Sequence, residues 1–485
     1  MSVEKLSWGQ MPESLMGKIG GLLENSDLYN LSVTSKDNIQ ILGLAEKDIF
    51  LSKDLSIQYL VNNDYGEKID VVLYSRNAEL HLNLSDCEFK TLPNFSAFYK
   101  LAGLNLSSNY KMTFPKNVEE LLPKSLRILK FNDCFVLRTF PNLSMFGKLV
   151  ELDLSDNDDI STPQNIAELL PRSLKILKLC QCQLLKFPDL SMFVNLVEFT
   201  SYSGKNNIPI PENIGELLPK SLKKLDWSPI PVVNNIMTVP NLIMFGELAE
   251  LCLSCGGFFV ETTLPENIGD LLPVNLQKLE IRHCIITTFP NLSMFTKLLE
   301  LDFNDGTSVV IPVNLGELLP KNLQILKFED CEGTIFPNLS MLDKLVELDL
   351  SCSNEMTFNV NLGLGKVLPQ SLEKLSCQNS FGVFPDLSSL NKLMELDLSR
   401  NYNMFVHNQI QKRLPMNLKK LNLGSCELRI FPNLSMLDKL EEVRVDLRRH
   451  DHIDPEKVIE KLPSNRKWGM RKIDFFYIIQ YSIHK

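Results

Sequence analysis

The sequence predicts an α/β fold, a solenoid of short parallel strands stacked into one concave sheet and preceded by a small three-helix N-terminal domain. Three observations predict it. The pattern L-x-x-L-x-L-x-x-[N/C] recurs about sixteen times between residues 78 and 446, and a fixed short period marks a repeat architecture. Two proline-bearing modules, FPNLSMF and LLPKSL, alternate ahead of the copies. Residues 1–77 carry neither module and space their apolar residues helically instead.

Residues 1–50 make up the predicted helical domain. Pro12 suits a first helical turn, and Leu15, Ile19, Leu22 and Leu23 then share one face. Ser26 is placed to cap a second short helix bearing Leu28, Leu31 and Val33, and Ser35 a third bearing Ile39 and Leu42. Three such helices in about 40 residues bury too little to stand alone. They dock either on a partner protein or on the solenoid, as its cap. Residues 51–77 read as a linker and the N-terminal cap of the solenoid.

The repeat array, residues 78–446, starts its L-x-L pairs at Leu82, Leu104, Leu129, Leu152, Leu177, Phe199, Leu225, Leu251, Leu279, Leu301, Leu326, Leu348, Leu375, Leu396, Leu421 and Val443. Steps of 22 and 25 residues predominate and alternate, so the true unit is a pair of about 47. L-x-L alternation makes a strand with one buried face, and so short a strand buries its apolar row only by stacking on copies of itself. Asn109, Cys134, Asn157 and Cys182 stand where the chain turns inward, placed to satisfy backbone groups of the turn. Long units carry proline-bounded segments such as 211–219, each confined to a short helical stretch. Short units carry Pro-Asn-Leu-Ser-Met-Phe, a turn; its Asn-Leu-Ser triplets match glycosylation acceptors but read as repeated turn residues. A degenerate copy at 461–475 closes the array inside a C-terminal capping segment, 447–485.

Six of the 11 cysteines, Cys87, Cys134, Cys182, Cys284, Cys331 and Cys426, share one repeat position. Their even spacing reads as a buried small residue rather than a disulfide framework, and it favours a reducing, intracellular compartment, cytoplasmic or nuclear. Neither Cys180/Cys182 nor Cys252/Cys255 has a nearby histidine cluster, so no metal is expected. The net charge of −9 argues against nucleic-acid binding. The basic residues of 461–472 read as a polar terminal cap. No apolar run approaches the roughly 20 residues of a membrane span. No phosphate loop, nucleophile elbow or metal-ligand histidine pair occurs, so neither catalytic residues nor a cofactor are expected.

Residues flanking each L-x-L face the concave side. Short units place Glu151, Glu198, Glu250, Glu300, Glu347, Glu395 and Glu442 before the first leucine; several long units place Lys224, Lys278, Lys374 and Lys420 there, and inside the L-x-L Asp153, Asp302, Asp349 and Asp397 alternate with Lys130, Lys178 and Lys327, among others. This is either a self-neutralising ladder or a recognition surface for a partner of mixed charge. The repeat degrades over 199–262, which marks either sequence drift or a substrate site at Tyr202, Trp227, Phe258 and Phe259.

The repeats resemble the leucine-rich-repeat family over about residues 78–446, which implies a horseshoe with a concave sheet that binds protein. The LPxSLxxL half is also similar to the short FNIP-type repeats of amoebae and large DNA viruses. The string at 6–42 resembles an F-box: Met11-Pro12, Leu15, Ile19, Leu22-Leu23, Asp27-Leu28, Leu31-Ser32-Val33 and Lys36. It departs from that pattern at Gly20-Gly21 and at Asp37-Asn38. The resemblance implies that Met11, Pro12, Leu15, Ile19, Leu23, Leu28, Leu31 and Val33 contact a Skp-type adaptor tied to a cullin ligase. The chain would then be the substrate-recognition subunit of a ubiquitin ligase, with a protein-interaction scaffold as the alternative.

Overall fold

The computed structural model describes residues 30–33, 58–62, 68–74, 79–86 and most of the chain from 92 to 481. Stretches outside the described residues include 203–209, 255–260, 352–363 and 447–454. The chain forms two compact units, 1–228 and 229–485.

The first unit contains β1 (Asn30–Val33), β2 (Gln58–Asn62), β3 (Lys68–Tyr74), β4 (Glu79–Asn83), β5 (Leu101–Asn105), β6 (Ile128–Lys130), β7 (Glu151–Asp153), β8 (Ile176–Lys178), β9 (Glu198–Tyr202) and β10 (Lys224–Ser228). From β4 to β10 every neighbour pair is parallel. The register sets Leu104, Leu129, Leu152, Leu177, Phe199 and Leu225 side by side, each at most 1 % exposed. One stacked apolar row is therefore the core, as the alternation requires.

Between strands the proline-bounded segments give single helical turns, α1 (Val118–Leu121) and α2 (Ile214–Leu217). The serine of each following LPxSL module ties its repeat to the one before. Ser125 Oγ donates to the Leu101 carbonyl, Ser173 to Leu149 and Ser221 to Leu196, all at 2.7 Å. The turn asparagines behave as expected. Asn157 donates to the Phe131 and Leu154 carbonyls and accepts from the Cys134 N–H at 2.9 Å. In the Asn-Leu-Ser turns, Asn142 Oδ1 accepts from the backbone N–H and hydroxyl of Ser144. Asp189 does the same for Ser191, so the position selects a short side-chain acceptor.

The start of the chain corrects an expectation. Residues 30–33, assigned to a second helix, form β1, which pairs in parallel with β2. A one-turn helix carries the full cost of nucleation, whereas a strand beside β2 gains ladder hydrogen bonds at once. The described residues of 51–77 are strand as well: β2 and β3 are antiparallel neighbours, and β3 pairs antiparallel with β4, covering the open edge of the first repeat.

The second unit opens with the small hairpin β11 (Val232–Val233) and β12 (Ile236–Met237). Then come β13 (Glu250–Ser254), β14 (Glu261–Thr262), β15 (Lys278–Arg282), β16 (Ile285–Ile286), β17 (Glu300–Val310), β18 (Ile325–Glu332), β19 (Glu347–Leu350), β20 (Lys374–Ser376), β21 (Glu395–Asp397), β22 (Phe405–Val406), β23 (Lys420–Leu423), β24 (Glu427–Leu428) and β25 (Glu442–Val445). Strands 13, 15, 17, 18, 19, 20, 21, 23 and 25 make the parallel concave ladder. Its helical turns include α3 (Ile268–Leu271) and α4 (Leu315–Leu318). A second parallel ladder runs β14–β16–β17–β18, because β17 and β18 continue past the usual turn.

The C-terminus departs from the expected further copy. After α5 (Pro455–Ile459), β26 (Trp468–Ile473) pairs antiparallel with β27 (Phe476–Tyr481), and β27, not β26, lies against β25, also antiparallel. A hairpin thus ends the sheet, with β26 as its outer strand.

The buried thiols fit the repeat reading at Cys134, Cys182 and Cys426, whose Sγ atoms donate to the Leu106, Leu154 and Leu398 carbonyls. Burial pushes Cys134 up to about 11 and Cys426 up to about 12. Cys284 departs from this pattern, being held in a disulfide.

Candidate functional site on the concave sheet

Two rows of side chains line the concave face of the second unit. The outer row precedes the leading leucine and runs in register Lys278, Glu300, Ile325, Glu347, Lys374, Glu395, Lys420, Glu442. The inner row sits within the L-x-L and runs Glu280, Asp302, Lys327, Asp349, Ser376, Asp397, Asn422, Arg444. The parallel register makes every residue a cross-strand neighbour of its counterpart one repeat away.

The outer row neutralises itself. Lys278 meets Glu300 at 2.8 Å, Lys374 meets Glu347 at 2.9 Å and Lys420 meets Glu395 at 2.6 Å. Burial works to raise the carboxyl of Glu347, yet the hydrogen bond from Lys374 and the charge of Lys327 outweigh it and hold Glu347 below its ordinary value. The hydrogen bond to Glu395 holds the Lys420 ammonium above its own. In the first unit the outer row runs Ile128, Glu151, Ile176, Glu198, Lys224; Glu151 turns to Lys130 of the inner row at 2.9 Å, and Glu198 stands between Lys178 of the inner row and Lys224 of the outer, each at 3.6 Å.

The inner row of the second unit is different at its C-terminal end. Asp153 in the first unit lies between Lys130 and Lys178 in register. Asp397 lies between Ser376 and Asn422. Its Oδ2 accepts from the Asn422 amide at 2.8 Å and its Oδ1 from the Ser399 N–H at 2.8 Å. Asp349 lies between Lys327 and Ser376 in register and accepts from the Ser351 N–H and hydroxyl. Burial raises the Asp349 carboxyl above its ordinary value, hydroxyls of Ser351 and Ser376 oppose this, and the charge of Asp397 adds to it. These residues line a shallow depression of about 340 Å³, floored by Leu375, Leu396 and Leu421 and rimmed by Lys374, Gln378, Glu395, Lys420, Glu442 and Arg444.

The residues singled out from sequence fall elsewhere. Met11, Pro12, Leu15, Ile19, Leu23 and Leu28 lie outside the described residues, as do Phe258 and Phe259. Leu31 and Val33 are on β1, a strand rather than an adaptor-binding helix. Tyr202 ends β9, with Ser228 as its partner in register. Trp227 is 1 % exposed and packs at 4.4 Å from the Phe187 ring and 5.8 Å from Phe199, so it is a core residue and offers no surface. The depression at β19–β25 was missed. Its acids, Asp349 and Asp397, belong to the charged rows read from the sequence, but its uncharged Ser376 and Asn422 were not singled out. Among the described residues no group of acids, histidines or cysteines could hold a metal ion, and no helix is long and apolar enough to cross a membrane.

No protein-family model matches the chain, and no curated protein matches it. Solved structures do. A leucine-rich-repeat protein of Leptospira interrogans is 22 % identical, with a TM-score of 0.56 over 88 % of this chain and 98 % of that one. The leucine-rich-repeat ectodomain of the Arabidopsis thaliana receptor kinase GASSHO1/SCHENGEN3 is 22 % identical over 90 % of this chain and 51 % of that one, with a TM-score of 0.45. A structure of TLR13 with a single-stranded RNA is 19 % identical over 85 % of this chain and 70 % of that one, with a TM-score of 0.44. Together with the L-x-x-L-x-L register, the first likeness shows the fold: a parallel-sheet solenoid of the leucine-rich-repeat type.

Proposed function

We propose that the chain is a non-enzymatic protein-interaction scaffold that holds its partner on the concave sheet of the second unit. The depression at β19–β25 carries this reading. It combines exposed ion pairs, which set orientation, with the polar inner-row side chains Asp349, Ser376, Asp397 and Asn422. Charged rows of this kind steer and select a partner more than they add raw affinity. A photo-crosslinking amino acid at Gln378 is expected to form protein adducts in a cell extract. The same group at Lys321, an exposed turn residue away from the depression, is expected to form none. Equal labelling from both positions would overturn the scaffold reading.

A finer reading has the scaffold present its bound protein to a Skp-type adaptor and cullin ligase. It rests on the resemblance of residues 6–42, and its test is co-purification with the adaptor, lost on Leu15→Asp/Ile19→Asp.

A further inference from the structure

We infer that the first unit docks on an anionic lipid surface by the rim where the chain enters its concave strands, with lysines and arginines against the headgroups and Met145, Met192 and Val194 among them. This contact is separate from the protein partner proposed for the concave sheet of the second unit.

Charge complementarity carries it. Arg127, Val150, Lys175, Val197 and Lys223 are successive neighbours along the rim, each N–H from Val150 onward donating to the carbonyl of the one before at 2.8 Å. The three cations are exposed and alternate with half-buried valines. At about 4.8 Å per strand the row runs roughly 19–20 Å. Three residues ahead of Arg127 and Lys175 stand two more exposed cations, Lys124 and Arg172. Lys124 Nζ lies 4.0 Å over the Phe146 ring, and the Arg172 guanidinium lies 4.5 Å over that of Phe193. The residues flanking those rings project outward: Met145 is 74 % exposed, Met192 67 % and Val194 71 %. Each apolar prong thus has at its base a cation from the preceding repeat. The space beside Met145 is open, since a Cβ added at Gly147 would touch nothing.

Acids are kept off this rim. Residues 123–130, 141–150, 171–178 and 219–225 contain none, and the lone acid of 188–197, Asp189, accepts from Ser191. Glu120, Glu168 and Glu216 stand on the helical turns and take the amides of Asn117, Asn165 and Asn213. The repeat itself does not impose the pattern, because in the second unit the same ladder position holds Gln277, Gln324 and Glu373, then Lys419 and Glu441. Protruding apolar side chains spaced singly among cations need no pocket in what they meet. They enter the soft boundary between headgroups and acyl chains while the cations meet the phosphates. The net charge of −9 does not oppose this, because at physiological salt exposed charges more than about 8 Å away are largely screened.

The experiment sediments the full chain with vesicles of phosphatidylcholine alone or with about 30 mol % phosphatidylserine. The chain is expected to pellet with the anionic vesicles, to stay in solution with the neutral ones, and to be released at about 0.5 M salt. Lys148→Glu/Lys175→Glu/Lys223→Glu is expected to weaken binding at least tenfold. Met145→Ser/Met192→Ser/Val194→Ser, which leaves the charge unchanged, is expected to weaken it at least fivefold. Lys321→Glu/Lys344→Glu/Lys392→Glu makes the same charge change at exposed positions of the second unit and is expected to shift affinity less than twofold. No pelleting with anionic vesicles, unchanged binding in either rim variant, or an equal loss in the second-unit variant would overturn the lipid contact. Binding of a hexaglutamate peptide in place of vesicles would assign the rim to an acidic protein segment and overturn it as well. Circular dichroism on each variant separates loss of fold from loss of contact, and the lipid and salt comparisons on the wild type need no variant.

Discussion

Asn401 carries more of the fold than its size suggests. It is 2 % exposed; its Oδ1 accepts from the N–H groups of Ser380 and Phe381 at 2.7 Å, and its amide donates to the Cys377 and Leu398 carbonyls. Those backbone groups belong to two successive turns and have no water to fall back on. Leaving a buried polar group unpaired costs about 1–3 kcal/mol. Asn401→Ala is therefore expected to lower the urea midpoint clearly, with a loss of at least that size. A loss indistinguishable from that of an exposed Asn→Ala control would show that the turn finds other partners. The thiols give a second prediction at this scale. Burial holds Cys134 and Cys426 at about 11 and 12, above the ordinary 9.0, so the native state keeps protons that the unfolded state releases. Their contribution to stability is whole below about pH 9 and is lost as pH rises through 11 to 12. At pH 8 neither should react with a thiol reagent until the chain unfolds, as mass spectrometry of labelled peptides would reveal.

At the scale of the element, the single helical turns are set by how closely adjacent repeats approach. In α4, a Cβ added at Gly316 would meet the backbone carbonyl of Asn338 in the next repeat. In α3, one added at Gly269 would meet the sulfur of Met294, a half-exposed side chain free to swing away. Alanine gains up to about 1 kcal/mol over glycine in a helix interior. That gain survives at Gly269, where the neighbour yields, and is lost at Gly316, where backbone does not. Gly269→Ala is thus expected to leave the thermal midpoint unchanged or raised, and Gly316→Ala to lower it. The reverse order would show that the two turns do not dock as described.

At the scale of the whole molecule, a stack of parallel strands has an edge problem at each end. The second unit meets it with β27 against β25 and with β26 outermost, a strand that carries Arg471 and Lys472. Charged residues on an outer strand discourage pairing with another chain. Truncation before residue 466 strips this hairpin and bares the N–H and C=O row of β25. The truncated chain is expected to elute as aggregate on size exclusion, where the intact chain does not; a monomeric elution would assign the hairpin another role.

Period and spacing alone determined the ladder. The leading leucines could be placed on strands because a two-residue alternation repeated at a near-constant step has one way to bury itself, by stacking. The turn asparagines, the buried thiols at Cys134, Cys182 and Cys426, and Trp227 at a leucine position follow from the same local rule. Tertiary structure decided what local patterns leave open. Whether residues 30–33 are helix or strand depends on β2, some 25 residues away. Which strand lies against β25 depends on a turn that reverses the chain after the last copy. The candidate site is of this kind too. Ser376 and Asn422 look ordinary in their own repeats. Only the cross-strand register brings Ser376 between Asp349 and Asp397 and Asn422 against Asp397, because the neighbours of a side chain on a sheet are settled between strands and not along them.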